Sequence, residues 1–138
     1  MRDFLIASKS EKDFFGWAKL KSEIHFTRDV RKVFFHTREI WWANLGVNIG
    51  HEEDGKNFHF ERPVLIIKKF NQHLALSVPL STSLKDNLYY CHFPLGGGLR
   101  SAMISQIRLI SSKRLIRRIG DLNRSDFRQV VAKIKNIF

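Results

Sequence analysis

The glycines and prolines of this chain lie almost entirely in its middle, and this distribution is what most constrains the fold. All three prolines (Pro63, Pro79 and Pro94) and six of the eight glycines fall within residues 39–98. Proline lacks the backbone N–H that donates to a neighbouring strand, and glycine permits tight turns, so together they mark the ends of short strands. The flanks contain no proline and carry helix-type patterns. We therefore expect an α+β protein that is mainly β, with short antiparallel strands between helical ends.

Five segments have the composition of strands. They are rich in aromatic and β-branched residues and bounded by turn residues, and they cover residues 38–45, 63–70, 73–78, 89–93 and 102–110. Residues 46–61 form a long polar loop, of a kind that is usually functional or disordered in small domains. Trp41 and Trp42 are adjacent, so they face opposite sides of their strand and one of them is expected in the core. We expect the strands to curl into a small antiparallel barrel packed by helices.

Three helices are expected outside the strands. The first covers residues 9–24, with Ser8-x-x-Glu11 as its capping box. The second is a short basic helix over residues 111–119. The third begins after Asn123, which has the side chain of a helix cap. Its apolar residues recur with helical spacing at Phe127, Val130, Val131 and Ile134.

The charge of the chain is strongly positive and uneven. The 138 residues include 24 Lys and Arg against 13 Asp and Glu, a net charge of +11, and ten basic but only two acidic residues follow residue 98. This excess predicts a polyanionic partner, either a nucleic acid or an acidic protein. A single Cys excludes a disulfide scaffold and a cysteine-built zinc site. Without a membrane-spanning apolar stretch or a signal-peptide pattern, the expectation is a cytoplasmic protein with no membrane partner.

Four sequence blocks in series resemble one known family. They read REIWWANLGVNIGHEEDGK, ERPVLIIKKF, SVPLSTS and SQIRLISSKRLIRRIG, and they fall within residues 38–135. In this order and spacing they resemble the PemK/MazF toxins of type II toxin–antitoxin systems. The resemblance implies an SH3-like, CcdB-like barrel for residues 38–138, with the C-terminal helix included. It leaves residues 1–37 as a helical N-terminal extension.

The resemblance also implies an activity and partners. PemK/MazF toxins are metal-independent, sequence-specific endoribonucleases, or mRNA interferases, that cut single-stranded RNA to a 2′,3′-cyclic phosphate and a 5′-OH without a cofactor. The family forms homodimers, is neutralised by a cognate acidic antitoxin, and contacts operator DNA through the toxin–antitoxin complex. Fold does not imply function, so two alternatives stay open. One is a non-catalytic module that binds nucleic acid or poisons gyrase as CcdB does, and the other is a degenerate toxin with a structural or regulatory role.

Three residues are candidate catalytic groups: Arg62, Ser81 and Thr82. Cleavage by the RNA's own 2′-OH requires loss of that proton, stabilisation of a phosphorane and protonation of the leaving 5′-oxygen. Arg62 suits the second task because its planar fork can bind a phosphate bidentately, and the resemblance implies that it is catalytic. The family's catalytic Thr falls on Ser81, with Thr82 as the alternative hydroxyl. Apart from the resemblance, both hydroxyls are ordinary turn residues at a strand exit.

Six residues are candidates for binding RNA. The resemblance makes the loop over residues 46–61 a flap over the RNA, with Glu52 assisting proton transfer. Gln106 and Arg108 are two positions apart and are expected on one face of a single strand. There Gln can read a base edge and Arg can hold a phosphate, or both simply lie on the outer face of the barrel. A basic stripe is expected on the short helix, although a solvated face also explains such a run. The six candidates are Glu52, Lys56, Gln106, Arg108, Lys113 and Arg114, and the stripe adds Arg117 and Arg118.

The acidic residues of the loop and the single cysteine have simpler explanations than a metal-binding or catalytic role. His51 precedes three consecutive carboxylates, a pattern that suggests a metal site. Adjacent loop acids are usually solvated and no second His supports them at helical spacing, so we expect no metal. Cys91 alternates with its neighbours in a strand and is expected to be a buried structural thiol.

Overall fold

The elements of the structure follow the predicted order with two differences near the C-terminus. The computed structural model describes residues 12–28 and 33–138. Short 3₁₀ turns at Ile104–Gln106 and Ser112–Arg114 flank the sixth strand. In chain order the longer elements are α1 (Phe14–Thr27), β1 (Glu39–Asn44), β2 (Glu61–Lys69), β3 (Leu74–Ser81), β4 (Tyr90–Leu95), β5 (Gly98–Met103), β6 (Arg108–Ser111), β7 (Leu115–Asp121) and α2 (Arg124–Lys135).

The seven strands form one antiparallel sheet in the order β4-β5-β3-β2-β1-β7, with β6 also paired to β3. Strand β3 serves two partners on one edge: its first residues pair with β6 and its last two, Leu80 and Ser81, pair with β5. Across the described residues the strand path is open, with β4 and β7 at its ends, so the hydrogen-bonded ladder does not close into a ring. The predicted mainly-β antiparallel class is confirmed.

Apolar side chains form a core on both faces of the sheet. In β2 the fully buried Leu65 packs in one cluster and its neighbours Val64 and Ile66 in another. A strand buried on both faces reads as a continuous apolar run, which explains the sequence PVLII. Helix α2 covers the first cluster with Val130 and Ile134.

The predicted strand over residues 102–110 is in fact two strands, β5 and β6, separated by a 3₁₀ turn. Ala102 pairs with Leu80, whereas Arg108 pairs with Ser77, which lies earlier on the same strand. The chain therefore leaves one ladder and enters another along β3. The continuous apolar pattern carries no signal for such a break.

The predicted helix over residues 111–119 is wrong, because this segment forms a 3₁₀ turn and strand β7. Strand β7 pairs with β1, joining Glu39 to Asp121 and Trp42 to Arg117. A nine-residue helix is marginal by itself, and pairing with an available sheet edge outweighs its local preference. The basic residues at helical spacing therefore do not form one stripe.

The two helices have side-chain caps. Helix α1 begins after Asp13, whose carboxylate accepts from the Gly16 amide. The predicted capping box, Ser8-x-x-Glu11, lies outside the described residues. Asn123 caps α2 as predicted, accepting from the amides of Ser125 and Asp126. Neither helix is long and apolar enough to cross a membrane.

Candidate active site

A cleft of about 450 Å³ opens where β2 begins and β3 ends. The antiparallel register, which sets Val64 opposite Pro79, brings the start of one strand beside the end of the other. All three catalytic candidates and Lys56 line this cleft, although they are far apart in sequence. They are Arg62, Ser81, Thr82 and Lys56.

Arg62 is buried, with 8% of its surface exposed, and its side chain is held at three points. Nε donates to the Asp54 carbonyl at 2.7 Å, and Nη1 donates to the Leu80 carbonyl at 3.0 Å. Nη2 lies 2.7 Å from Oε1 of Glu53 in an ion pair. A guanidinium has five N–H donors, so these contacts leave one on each terminal nitrogen for a ligand. The group is thus both fixed and able to donate.

The two candidate hydroxyls differ in how firmly the backbone holds them. Ser81 is half-buried and ends β3, where it pairs with Ser101 of β5. Its Oγ accepts from the Ser83 amide at 3.0 Å and keeps its own proton to donate. Thr82 lies one residue beyond the strand and is exposed. Ser81 is therefore the better ordered of the two.

An aromatic ring and two further arginines border the cleft. Trp42 is half-buried and lines it, while Trp41 is in the core with 7% exposed, so the predicted division between the two faces is confirmed. The Arg117 guanidinium lies over the Trp42 ring at 5.0 Å. Arg100 also lines the cleft, beside the β4–β5 turn. Sequence reasoning missed Arg100, for which the neighbouring glycine run was the only signal.

Glu52, Gln106 and Arg108 line a second, neighbouring pocket. The Gln106 side chain donates to the His51 carbonyl at 3.0 Å and accepts from the Glu53 amide at 3.1 Å, so it fastens the loop. Burial lowers the pKa of Arg108, and the charge of Glu52 opposes this effect. The expected single strand for Gln106 and Arg108 is wrong, because a 3₁₀ turn ends at the first and β6 begins at the second. The Arg62–Glu53 ion pair joins this pocket to the cleft.

Lys113 and Arg114 lie under α1, away from the cleft. Lys113 Nζ donates to the His25 carbonyl at 2.8 Å. Arg114 donates to the Asn44 carbonyl at 3.0 Å and lies 5.7 Å over the Trp17 ring. Burial, followed by the like charge of Arg108, lowers the pKa of Arg114 to about 10, so it remains charged at neutral pH. Both cations therefore bind the protein's own helix and core.

The loop carboxylates all have protein partners. Glu52 accepts from the Ile49 amide at 2.9 Å, Glu53 pairs with Arg62, and Asp54 lies 3.3 Å from Lys12 Nζ. In the parts of the chain that the structure describes, no group of three His, Cys, Asp or Glu side chains is arranged to hold a metal.

Cys91 is buried, with 3% exposed, as predicted. Burial raises the pKa of its thiol. A thiol with a raised pKa is protonated at neutral pH and is a poor nucleophile.

Comparison with known sequences decides the family. The profile of the PemK-like, MazF-like toxins of type II toxin–antitoxin systems matches residues 36–138. The chain belongs to this family. No curated protein sequence matches it significantly.

Solved MazF structures share the fold of this family member. MazF from Deinococcus radiodurans has a TM-score of 0.65 at 18% identity, covering 76% of this chain and 96% of that one. Toxin MazF-mt6 from Mycobacterium tuberculosis has a TM-score of 0.55 at 20% identity, covering 72% and 94%. An endoribonuclease in complex with its cognate antitoxin, from a mycobacterial species, has a TM-score of 0.59 at 10% identity, covering 75% and 93%. At these identities the likeness shows the fold.

Proposed function

We propose that this chain is the toxin of a type II toxin–antitoxin system and that it cuts single-stranded RNA at a specific sequence without a metal or cofactor. The observation that carries the proposal is the cleft in which a buried, three-point-held Arg62 shares one cavity with the hydroxyls of Ser81 and Thr82. Membership of the toxin family supports it. Residues 38–138 form the toxin domain in this proposal, and residues 1–37 are an extension.

The proposed reaction is a transesterification within the RNA. The 2′-OH loses its proton as the 2′-oxygen bonds to the adjacent phosphorus, and the 5′-oxygen takes up a proton as its bond to phosphorus breaks. The products are a 2′,3′-cyclic phosphate and a 5′-OH. The free N–H groups of Arg62 stabilise the charge that develops on the phosphorane oxygens. The hydroxyl of Ser81, or of Thr82 in its place, donates a hydrogen bond to a non-bridging oxygen or to the 2′-oxygen. Glu52, which lines the neighbouring pocket, assists the transfer of a proton in this reaction.

The residues around the cleft suit the binding of single-stranded RNA. The Trp42 ring and the Arg117 guanidinium over it form a surface against which a base can stack, and Lys56 and Arg100 offer cations to the RNA backbone. Gln106 and Arg108 extend the surface into the neighbouring pocket. Lys113 and Arg114 contribute less to RNA binding, because their side chains already contact protein groups.

The net charge of +11 supports an acidic partner. A structure of MazE–MazF from Deinococcus radiodurans contains a chain of this fold, with a TM-score of 0.59 at 15% identity over 76% of this chain and 96% of that one. We propose a cognate acidic antitoxin, a homodimer, contact with operator DNA through the complex, and a cytoplasmic location.

A specific observation favours a second candidate, the non-catalytic binding module. Three protein contacts on one buried arginine are also what a purely structural arginine makes. In that case the cleft binds RNA, or a protein such as gyrase, without cutting anything.

Incubation of the purified chain with long single-stranded RNA in EDTA separates the candidates. Arg62→Lys keeps the charge but loses the fork, and Arg124→Lys makes the same change on the exposed first turn of α2. We expect cutting by the wild type and Arg124→Lys, and cutting about 100-fold slower by Arg62→Lys. Comparing Ser81→Ala with Thr82→Val identifies the hydroxyl. RNA left intact by a folded wild type contradicts the enzyme and favours the binding module.

A further inference from the structure

Helix α1 and the residue before its cap contact the β1–β2 loop, residues 45–60, at two places. Lys12 Nζ donates to the Gly50 carbonyl at 2.9 Å and to that of Asn48, and it pairs with Asp54 at 3.3 Å. Lys12 therefore joins three separate points of the loop. The family profile begins at residue 36, so this lysine lies in a part of the chain that the family comparison does not cover.

Trp17 of α1 holds the base of the same loop. Its ring lies so close to Gly46 that a Cβ there would be 2.0 Å from it, and it packs on Phe60 with ring centroids 5.7 Å apart. Gly46 and Phe60 lie at the two ends of the loop, and both amides at positions 45 and 46 donate to the Phe60 carbonyl. Trp17 thus packs where the loop leaves and rejoins the sheet.

The loop in turn holds Arg62. The Asp54 carboxylate pairs with Lys12, while the carbonyl of the same residue accepts from Arg62 Nε at 2.7 Å. Glu53, one residue earlier, pairs with Arg62 Nη2. Asp54 therefore contacts Lys12 through its side chain and the Arg62 guanidinium through its carbonyl. Asp54 also accepts from the Asn48 amide at 2.7 Å, which closes the loop on itself.

We propose that α1 is a brace that fixes the β1–β2 loop and, through Asp54 and Glu53, the orientation of the Arg62 guanidinium. Lys12 is the positioning residue and Trp17 anchors the brace. For its effect on RNA cleavage the inference rests on the proposed function. A guanidinium that loses its orientation stabilises the transition state less well, so loss of the brace lowers kcat more than it raises KM.

Hydrogen exchange on the full RNA-free chain tests the brace without any activity. Lys12→Ala removes the contact and Lys12→Arg keeps a cation there. Lys19→Ala, which removes an exposed lysine of α1, is the control. A part-buried ion pair contributes on the order of 1 kcal/mol, which corresponds to about fivefold in a local opening equilibrium. We expect the Asn48 and Glu53 amides to exchange about fivefold faster in Lys12→Ala alone, with β2 and β3 unchanged. Equal exchange in all four proteins overturns the brace.

Kinetics on single-stranded RNA test the consequence for Arg62. We expect kcat to fall about fivefold in Lys12→Ala with KM nearly unchanged, to recover in Lys12→Arg, and to stay at the wild-type value in Lys19→Ala. Wild-type kcat in Lys12→Ala overturns the positioning role and leaves the nuclease proposal standing. If the wild type cuts no RNA, the nuclease proposal fails, while the exchange experiment still decides whether the brace exists.

Discussion

The ion pair between Glu53 and Arg62 allows a quantitative prediction. Its side chains are 25% and 9% exposed, and its atoms are 2.7 Å apart. Exposed pairs contribute about 0.2–1 kcal/mol, whereas removing one partner of a buried pair costs about 3–5 kcal/mol. This pair lies between the two limits, so we expect a coupling free energy of about 2 kcal/mol. Arg62→Ala also frees two carbonyls at about 1 kcal/mol each, so it should cost about 4 kcal/mol in the free energy of unfolding.

A double-mutant cycle measured by urea unfolding tests this reasoning. We expect Glu53→Ala to cost about 2 kcal/mol, and the double variant to cost about as much as Arg62→Ala alone. Glu52→Ala removes the adjacent and more exposed carboxylate with its hydrogen bond from the Ile49 amide, so it should cost no more than about 1 kcal/mol in the free energy of unfolding. If the costs of Glu53→Ala and Arg62→Ala in the free energy of unfolding are additive in the double variant, the assigned ion pair is refuted. The same data show how much of any activity lost in Arg62→Ala reflects unfolding.

Two further predictions concern stability. Burial acts to raise the pKa of Glu39, but hydrogen bonds from the Trp41 indole, a backbone amide and Arg118 prevail and lower it. Its stabilising effect is therefore present above the unfolded pKa of about 4.3 and is lost as pH falls through the lower folded pKa. Urea unfolding should therefore show that Glu39→Gln costs less free energy of unfolding at pH 3 than at pH 7. Gly46 has φ +79° and the Trp17 ring lies against it, whereas Gly50 has φ +58° and open space around it. Gly46→Ala should therefore destabilise the protein by more than about 2 kcal/mol, and Gly50→Ala by about 1 kcal/mol. Equal midpoints of thermal unfolding for the two variants would contradict this.

The sequence was informative where one local pattern determines structure. The strand of REIWWANL, the doubly buried run after Pro63 and the Asn123 cap all follow from side-chain period or capping chemistry, and the structure has them. Prediction from the sequence failed where pairing between distant segments determines the structure. Residues 111–119 fit a helix locally but complete a sheet edge, and β3 exchanges one partner for another without any change in its own pattern.

The candidate site shows the same limit. Strand order explains why Arg62 and Ser81 share a cleft, and the resemblance had already suggested both. No local pattern indicates that Gln106 fastens the loop or that Lys113 and Arg114 support α1, since these contacts join residues far apart in the chain. Charge suggested RNA contacts for Lys113 and Arg114, and an amide that can read a base edge suggested them for Gln106.

The most direct test of the proposed chemistry uses an RNA with one cleavage site, incubated with the chain in EDTA and analysed by mass spectrometry. The nucleophile in this account is the 2′-oxygen of the cleaved nucleotide. We therefore predict a 2′,3′-cyclic phosphate and a 5′-OH, and no cutting when a single 2′-deoxy nucleotide stands at that position. A 5′-phosphate product, or equal cutting of the 2′-deoxy substrate, would contradict the account.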